Sequence, residues 1–250
     1  MNAAQRGGHQ FIPRPPDAGD GDVAPWYGRD LHARSWSIGD VADTFANQRE
    51  PVRENPFAPP GSRKAAVLIG LYENRDDLLI AMIKRPSHSK DHPGEIAFPG
   101  GKFEPEIDAD LAATARREAA EEIGIDETTV QMLGELDTGA TVATAFLIAP
   151  FVAAIEPPTH GWIIDPGEVT EVLTPSVREL FHPDTYHQER WDIPDNPRWP
   201  MGARNHPMHF FVLEDETIWG ATARIVRDFL CVLAGCEQEG NTIQAPSRGN

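Results

Sequence analysis

Short apolar runs with strand-like length recur along the chain. Residues 64–72 (KAAVLIGLY) and 77–84 (DLLIAMIK) are separated by four residues, which is typical of a β-hairpin. Similar runs predict further strands at residues 95–98, 130–136, 144–155 and 209–213.

A helical period appears between these runs, most clearly over residues 110–123. Its apolar stripe has i, i+4 spacing and consists of Leu111, Ala115, Ala119 and Ile123. Gly124 suits the position just past the end of this helix. Other helical patterns cover residues 37–49, 175–180 and 219–233. Strands that flank a central helix predict an α/β protein with helices on both faces of a mixed sheet, an α/β/α sandwich.

The remaining segments show no regular period. Residues 1–30 are rich in Pro, Gly and Asp and predict a surface arm whose removal leaves the core intact. Residues 182–207 are rich in Pro, Trp and His and predict an irregular insertion, in which Trp191 and Trp199 either pack the insertion or stack on adenine or a second subunit. The expected organisation is an arm with a short helix (1–60), a main domain (61–235) and a polar tail (236–250).

Composition narrows the classes of function. The net charge is −17, and a strongly acidic chain is a poor binder of nucleic acid or of an anionic membrane. No signal-peptide pattern and no apolar run of roughly 20 residues is present, so we expect a cytoplasmic protein. Only Cys231 and Cys236 are available, which argues against a disulfide framework and against zinc.

Acidic residues cluster on the central helix. Glu118, Glu121 and Glu122 have i, i+3 and i, i+4 spacings, so all three carboxylates share one face. Such carboxylates repel one another unless a cation lies among them, and hard oxygen ligands suit Mg²⁺ or Mn²⁺. The alternative is a solvated charged surface in which Arg117 pairs with Glu121.

The segment from Gly101 to Ile125 resembles the Nudix box, G-x5-E-x7-R-E-U-x-E-E-x-G-U, where U is aliphatic. Its second half fits Arg117-Glu118-Ala119, Glu121-Glu122 and Gly124-Ile125. The middle is two residues longer than the pattern, so Glu104, Glu106 and Asp108 compete for the place of the first glutamate.

A narrower resemblance is to the coenzyme A pyrophosphatases of that family. It rests on residues 78–101, which include Arg85, Ser87, Gly94 and Phe98-Pro99-Gly100-Gly101, with weaker support from residues 165–172 and 218–223. The segment departs from the subfamily motif at Met82, Pro86 and Lys90.

These resemblances imply roles for individual residues. The metal ligands would be Glu118, Glu121, Glu122 and the Gly100 carbonyl. Catalysis would use Glu121, Glu122 and Arg117, with Arg117 orienting carboxylates and the general base left open between Glu121, Glu168 and Glu171. Arg85, Lys102 and His92 lie beside the presumed site and would contact the substrate. The alternatives are exposed loop charges for Arg85 and Lys102, and for His92 a cap of the loop.

The implied partner is a small nucleotide substrate. Coenzyme A or an acyl-coenzyme A would give 3′,5′-ADP and 4′-phosphopantetheine or its acyl form. The alternatives are hydrolysis of ADP-ribose or another nucleotide pyrophosphate, and a nucleotide sensor without catalysis. The oligomeric state stays open, a homodimer included.

Overall fold

A computed structural model describes residues 6–8, 10–54, 58, 61–75, 77–89, 92–141, 146–194 and 202–238. Its α-helices are α1 (Ile38–Ala46), α2 (Leu111–Ile123), α3 (Val177–Leu180) and α4 (Gly220–Ala234). Its strands are β1 (Gly19–Asp20), β2 (Arg63–Asn74), β3 (Asp77–Lys84), β4 (Ile96–Ala97), β5 (Gly100–Lys102), β6 (Gln131–Glu135), β7 (Gly139–Ala140), β8 (Phe146–Ala154), β9 (Glu171–Leu173), β10 (Tyr186–Ile193), β11 (Ala203–Val212) and β12 (Thr217–Trp219).

The main sheet is mixed and built around β2. Its central order is β4-β3-β2-β8-β6, with β5 also paired to β2, β7 to β8 and β9 to β3. β2 and β8 are parallel, from Arg63 opposite Phe146 to Leu71 opposite Ala154. The predicted hairpin of β2 and β3 is antiparallel, with Asn74 opposite Asp77.

Helices cover both faces of this sheet because β2 alternates its apolar side chains. Ala66 and Leu68 belong to a core cluster with Ala115, Ala119 and Ile123 of α2. On the other face, apolar residues of β2 join a second cluster that contains residues of α1 and α4. The predicted α/β/α arrangement is confirmed.

Local sequence signals explain where two of the helices begin and end. Ser37 and Asp40 form a reciprocal capping box at the start of α1. The Asp110 side chain accepts a hydrogen bond from the Ala113 amide at the start of α2. Gly124 ends α2 with a left-handed φ of 73°, a conformation that glycine adopts without steric cost.

The interpretation of residues 182–207 as an irregular insertion is wrong. β10 and β11 form an antiparallel pair from Tyr186 opposite Phe211 to Ile193 opposite Ala203, and they belong to a second sheet of order β1-β10-β11-β12. Trp191 is buried and lies against Phe210. Trp199 lies outside the described residues.

The N-terminal segment is more than a surface arm. Trp26 is 3% exposed and lies in the same core cluster as α1 and α4. Its ring contacts the rings of Phe181 and Tyr186, at centroid distances of 5.5 and 5.3 Å. The packing of Trp26 argues against the expectation that removal of residues 1–30 leaves the core intact, and the domain boundaries at 60 and 235 remain predictions.

Two further features of the fold are the state of the cysteines and the apolar character of the helices. Cys231 is buried and Cys236 is half-buried, and within the described part of the chain neither forms a disulfide bond. Among the described residues, none of the helices has the length and apolar character needed to cross a bilayer.

Candidate active site

The site lies where the acidic face of α2 meets the glycine turn at β5. Glu122 is 2% exposed, and its Oε2 accepts a hydrogen bond from the Gly100 amide at 2.8 Å. Its Oε1 is buried and has no hydrogen-bond partner within the described residues. A buried carboxylate oxygen without a partner is costly, so this atom is free to receive a proton or a cation.

Neighbouring atoms lie close to both glycines of the turn. A Cβ on Gly100 would lie 2.3 Å from the Ala66 carbonyl oxygen, and one on Gly101 would lie 2.3 Å from Glu118 Cδ. The Gly101 backbone therefore approaches the Glu118 carboxylate as closely as a chain can, and the side chain of Glu118 is confined beside the turn.

Like charges and burial raise the pKa values of the glutamates. Burial raises the pKa of Glu122 from 4.5 to about 8, and repulsion from Glu118 and Glu168 adds to this, against the Gly100 amide and the charge of Arg85. Burial also raises the pKa of Glu118, which is repelled by Glu121 and Glu168. Carboxylates with these properties gain most from a bound cation.

The acidic side chains fit a divalent ion only in part. Within the described ranges, no group of three or more His, Cys, Asp or Glu side chains is placed to hold an ion together. Glu118, Glu122 and Glu168 nevertheless lie close enough for their charges to interact. Glu118 and Glu168 both repel Glu122, and Glu168 also repels Glu118. Small side-chain rotations change the distances between possible ligand atoms, whereas they leave the Glu122 carboxyl group buried.

Arg117 organises the outer part of the helix face. Its Nε lies 2.9 Å from Asp108 Oδ1, and its Nη1 lies 2.9 Å from Glu118 Oε1 and 3.3 Å from Glu121 Oε2. Arg117, together with the hydrogen bonds to Asp108 from the Glu104 amide and from Thr114 Oγ1, lowers the Asp108 pKa to about 2.

The three acidic residues that compete for the first glutamate of the motif have different surroundings. Asp108 is buried and contacts Arg117, whereas Glu104 and Glu106 are exposed. The three acids have equivalent chemistry in the sequence, so only the fold of the loop distinguishes them.

Glu121 differs from the other two glutamates of the motif. Its side chain is 61% exposed and its described contact is with Arg117. The shared helix face therefore divides into a buried pair, Glu118 and Glu122, and an outer carboxylate.

Arg85 and the loop of Glu168 complete the surroundings of Glu122. Arg85 follows β3, and its charge acts on Glu122. Its Nε is buried without a hydrogen-bond partner in the described part of the chain. The Asp165 amide donates to the Glu122 carbonyl at 3.3 Å, and the Thr170 amide to the Lys84 carbonyl at 2.8 Å, which fixes the loop that carries Glu168 beside α2.

Three other candidates are placed by β5, by the loop before β4 and by β9. Side chains alternate along β5, so Lys102 is exposed on the opposite face of the strand from Gly101. His92 Nδ1 lies 2.8 Å from Glu95 Oε2, within the loop before β4. Glu171 is exposed and pairs through β9 with Lys84, and Lys90 lies outside the described residues.

Comparison with known proteins identifies the family. The NUDIX domain model matches residues 61–197. Nudix hydrolase NudL of Enterobacter sp. (strain 638) is 36% identical over 166 residues, 66% of this chain and 80% of that protein. NudL of Shigella flexneri serotype 5b (strain 8401) is 30% identical over 198 residues, 79% of this chain and 95% of that protein.

A plant relative is similar over a comparable stretch. The chloroplastic Nudix hydrolase 22 of Arabidopsis thaliana is 35% identical over 187 residues, 73% of this chain. The match covers 57% of the plant protein, so this chain spans little more than half of its length. With the family model, the bacterial relatives and the acidic helix in agreement, the chain belongs to the Nudix family and is a Nudix hydrolase.

Proposed function

We propose that this enzyme hydrolyses the diphosphate bond of coenzyme A or an acyl-coenzyme A with Mg²⁺ or Mn²⁺. The products are 3′,5′-ADP and 4′-phosphopantetheine or its acyl form. The hydrolytic part of the proposal rests on the buried carboxylate of Glu122. One of its oxygens accepts a hydrogen bond from the Gly100 amide, and the other has no partner in the described ranges.

Glu118 and Glu122 are the principal metal ligands in this proposal, joined by Glu121 and the Gly100 carbonyl. When bound, a divalent ion lowers the pKa of a water molecule and offsets charge on the diphosphate. The buried position of Glu122 supports this role, because a carboxylate with a raised pKa is stabilised by a cation more than a solvated one is.

The remaining polar residues bind and orient. Arg117 fixes Glu118 through a contact of 2.9 Å and is itself held by Asp108, so it positions a ligand and does not contact substrate. Arg85 contacts the diphosphate, since its guanidinium is beside Glu122 and its Nε lacks a described partner. Glu168, exposed on its loop and within range of both buried glutamates, accepts the proton of the attacking water.

Coenzyme A is favoured as the substrate by the segment that resembles the coenzyme A pyrophosphatases. This segment contains β3, Arg85 and the turn at Gly100, so it lines the approach to Glu122. The downstream resemblance at residues 218–223 is weaker support, because Ile218 and Ala223 are buried in the core and pack the fold.

The test compares kcat/KM for coenzyme A, dephospho-coenzyme A and ADP-ribose. A site that pairs with the 3′-phosphate leaves cations unpaired when that group is missing. One charge-assisted contact is worth roughly 1.5–3 kcal/mol, so we expect coenzyme A to exceed both analogues by about tenfold or more. A preference for ADP-ribose would overturn the coenzyme A assignment while leaving the family assignment intact.

Two arginine variants distinguish a direct contact between Arg85 and the diphosphate from the general effect of removing a positive charge. Arg85→Ala should lower kcat/KM for all three substrates, because the diphosphate is common to them. Arg116→Ala is the matched control, since Arg116 is on α2 about 200° around the helix from Glu118. Equal losses in the two variants would remove Arg85 from the site.

A further inference from the structure

A cavity lies at the end of β3 that is far from Glu118 and Glu122. Its volume is about 540 Å³, and its lining includes Arg6, His32, Asp77, Arg178, Glu179 and Thr185. Asp77 begins β3 whereas Lys84 ends it beside Arg85. At about 3.3 Å per residue, the strand separates this cavity from the catalytic region by roughly 20 Å.

Two residues that line the cavity each have a buried side-chain atom with no hydrogen-bond partner among the described residues. Thr185 is 1% exposed, and its Oγ1 has no hydrogen-bond partner among the described residues. His32 Nδ1 is buried and likewise has none in the described ranges. Atoms with almost no accessible surface do not touch a ligand in the open cavity, so the contacts to a ligand are left to the charged side chains on its wall.

Two arginines are held at the cavity by other bonds. Arg6 Nη2 donates to the Val212 carbonyl at 2.9 Å. Arg178 donates from Nε to the His32 carbonyl at 3.2 Å and from Nη1 to Asp77 at 3.3 Å. A guanidinium has five N–H groups, so these described bonds fix both side chains and leave donors for a ligand.

The cavity also contains acceptors, which narrows the class of ligand. Asp77 is paired with Arg178, and Glu179 is half-buried within range of the charge of Arg6. The rings of His32 and His182 meet edge to face at a centroid distance of 5.4 Å. Two guanidinium groups matched by two carboxylates suit a molecule that carries both an anionic group and hydrogen-bond donors.

We propose that this cavity binds the phosphate monoester of a hydroxyl-bearing small molecule, a sugar phosphate or a nucleoside monophosphate. The phosphate is bound by Arg6 and Arg178, because guanidinium forks match phosphate oxygens. Hydroxyl groups of the ligand donate to the carboxylates of Glu179 and Asp77. The volume lies in the range of small-molecule sites and leaves room for an organic group beyond the phosphate.

The test follows the histidine ring resonances of the full chain by NMR, in the presence of EDTA. Ribose 5-phosphate should shift the His32 and His182 resonances saturably and bind about tenfold or more tightly than inorganic phosphate, whereas ribose should shift neither. Adenosine monophosphate distinguishes the two ligand sources: tighter binding than ribose 5-phosphate indicates a nucleotide, and weaker binding a sugar phosphate.

Arginine variants make the proposal falsifiable. Arg178→Gln and Arg6→Gln should each weaken ribose 5-phosphate binding about tenfold or more. Arg14→Gln is the matched control, because Arg14 is also N-terminal but bonds Glu189 elsewhere. If Arg178→Gln does not fold, Arg6→Gln gives the same test, since Arg6 is exposed and its described bond is to a backbone carbonyl.

Failure here is distinct from failure of the proposed hydrolysis. The ring shifts should persist in Glu122→Gln, which leaves this cavity untouched. Unshifted His32 and His182 rings, equal binding of ribose and ribose 5-phosphate, or full binding in both arginine variants would overturn the proposal.

Discussion

The Glu118 carboxylate occupies the space in which a side chain at position 101 would begin, 2.3 Å from the position of a Cβ on Gly101. Gly101→Ala must therefore displace the Glu118 carboxylate, which is the flexible end of a side chain. We expect kcat to fall by about tenfold or more, because a ligand moved by 1 Å loses its productive geometry, while the melting temperature changes little.

Gly19→Ala provides the matched control for that substitution. Gly19 lies in β1, and a Cβ there would meet no atom within 4 Å. If Gly101→Ala and Gly19→Ala have the same kcat as the native chain, the confinement of Glu118 has no catalytic consequence.

Glu122 should make the metal-free protein less stable as pH rises. Its pKa is about 8 in the fold against 4.5 ordinarily, so the folded chain binds more protons than the unfolded chain between these values. The free energy of unfolding in EDTA should fall as pH rises from about 4.5 to about 8 and level off above, by up to a few kcal/mol.

Glu122→Gln isolates this contribution, because glutamine has no charge to bury. Urea denaturation in EDTA should show the variant gaining stability over the native chain as pH rises across that window. Saturating Mg²⁺ or Mn²⁺ should shrink the difference, since the cation stabilises the ionised native carboxylate. A pH-independent difference would show that Glu122 does not titrate there.

Trp26 should be required for stability although it precedes the family match. It is 3% exposed against Phe181 and Tyr186, so Trp26→Ala should lower the free energy of unfolding by about 3–5 kcal/mol. The neighbouring Tyr27 is 73% exposed, and Tyr27→Ala should cost less than about 0.5 kcal/mol. Equal urea midpoints for the two variants would contradict the packing of Trp26.

The sequence predicts best where the period of apolar residues and the local chemistry agree. The β2–β3 hairpin, α2 and α4 are periodic, and Ser37 with Asp40 marks the start of α1. β10 is mostly polar and Pro207 lies within β11, so the composition favours an irregular segment. The strands form because the two segments pair with each other, which composition does not show. The apolar pattern does not reveal the buried position of Trp26 either, because a single aromatic residue has no period.

In the active site, too, the sequence predicts some features and not others. Helical spacing predicts that Glu118 and Glu122 share a face, and the structure brings both beside the turn at Gly100. Spacing does not predict that Glu121 is exposed, that Asp108 pairs with Arg117, or that Lys102 lies on the opposite strand face. Those outcomes depend on the loop before α2 and on the register between β2 and β5.

The central claim is that Glu118 and Glu122 bind the divalent ion on which hydrolysis depends. The most direct measurement follows release of 3′,5′-ADP from coenzyme A by the native chain and by Glu122→Gln, in EDTA and after addition of Mg²⁺ or Mn²⁺. We predict no turnover in EDTA, recovery with either ion, and a kcat for Glu122→Gln lower by about 10² or more even at saturating metal. Full turnover in EDTA, or a kcat of Glu122→Gln within a few-fold of the native value, would contradict the account.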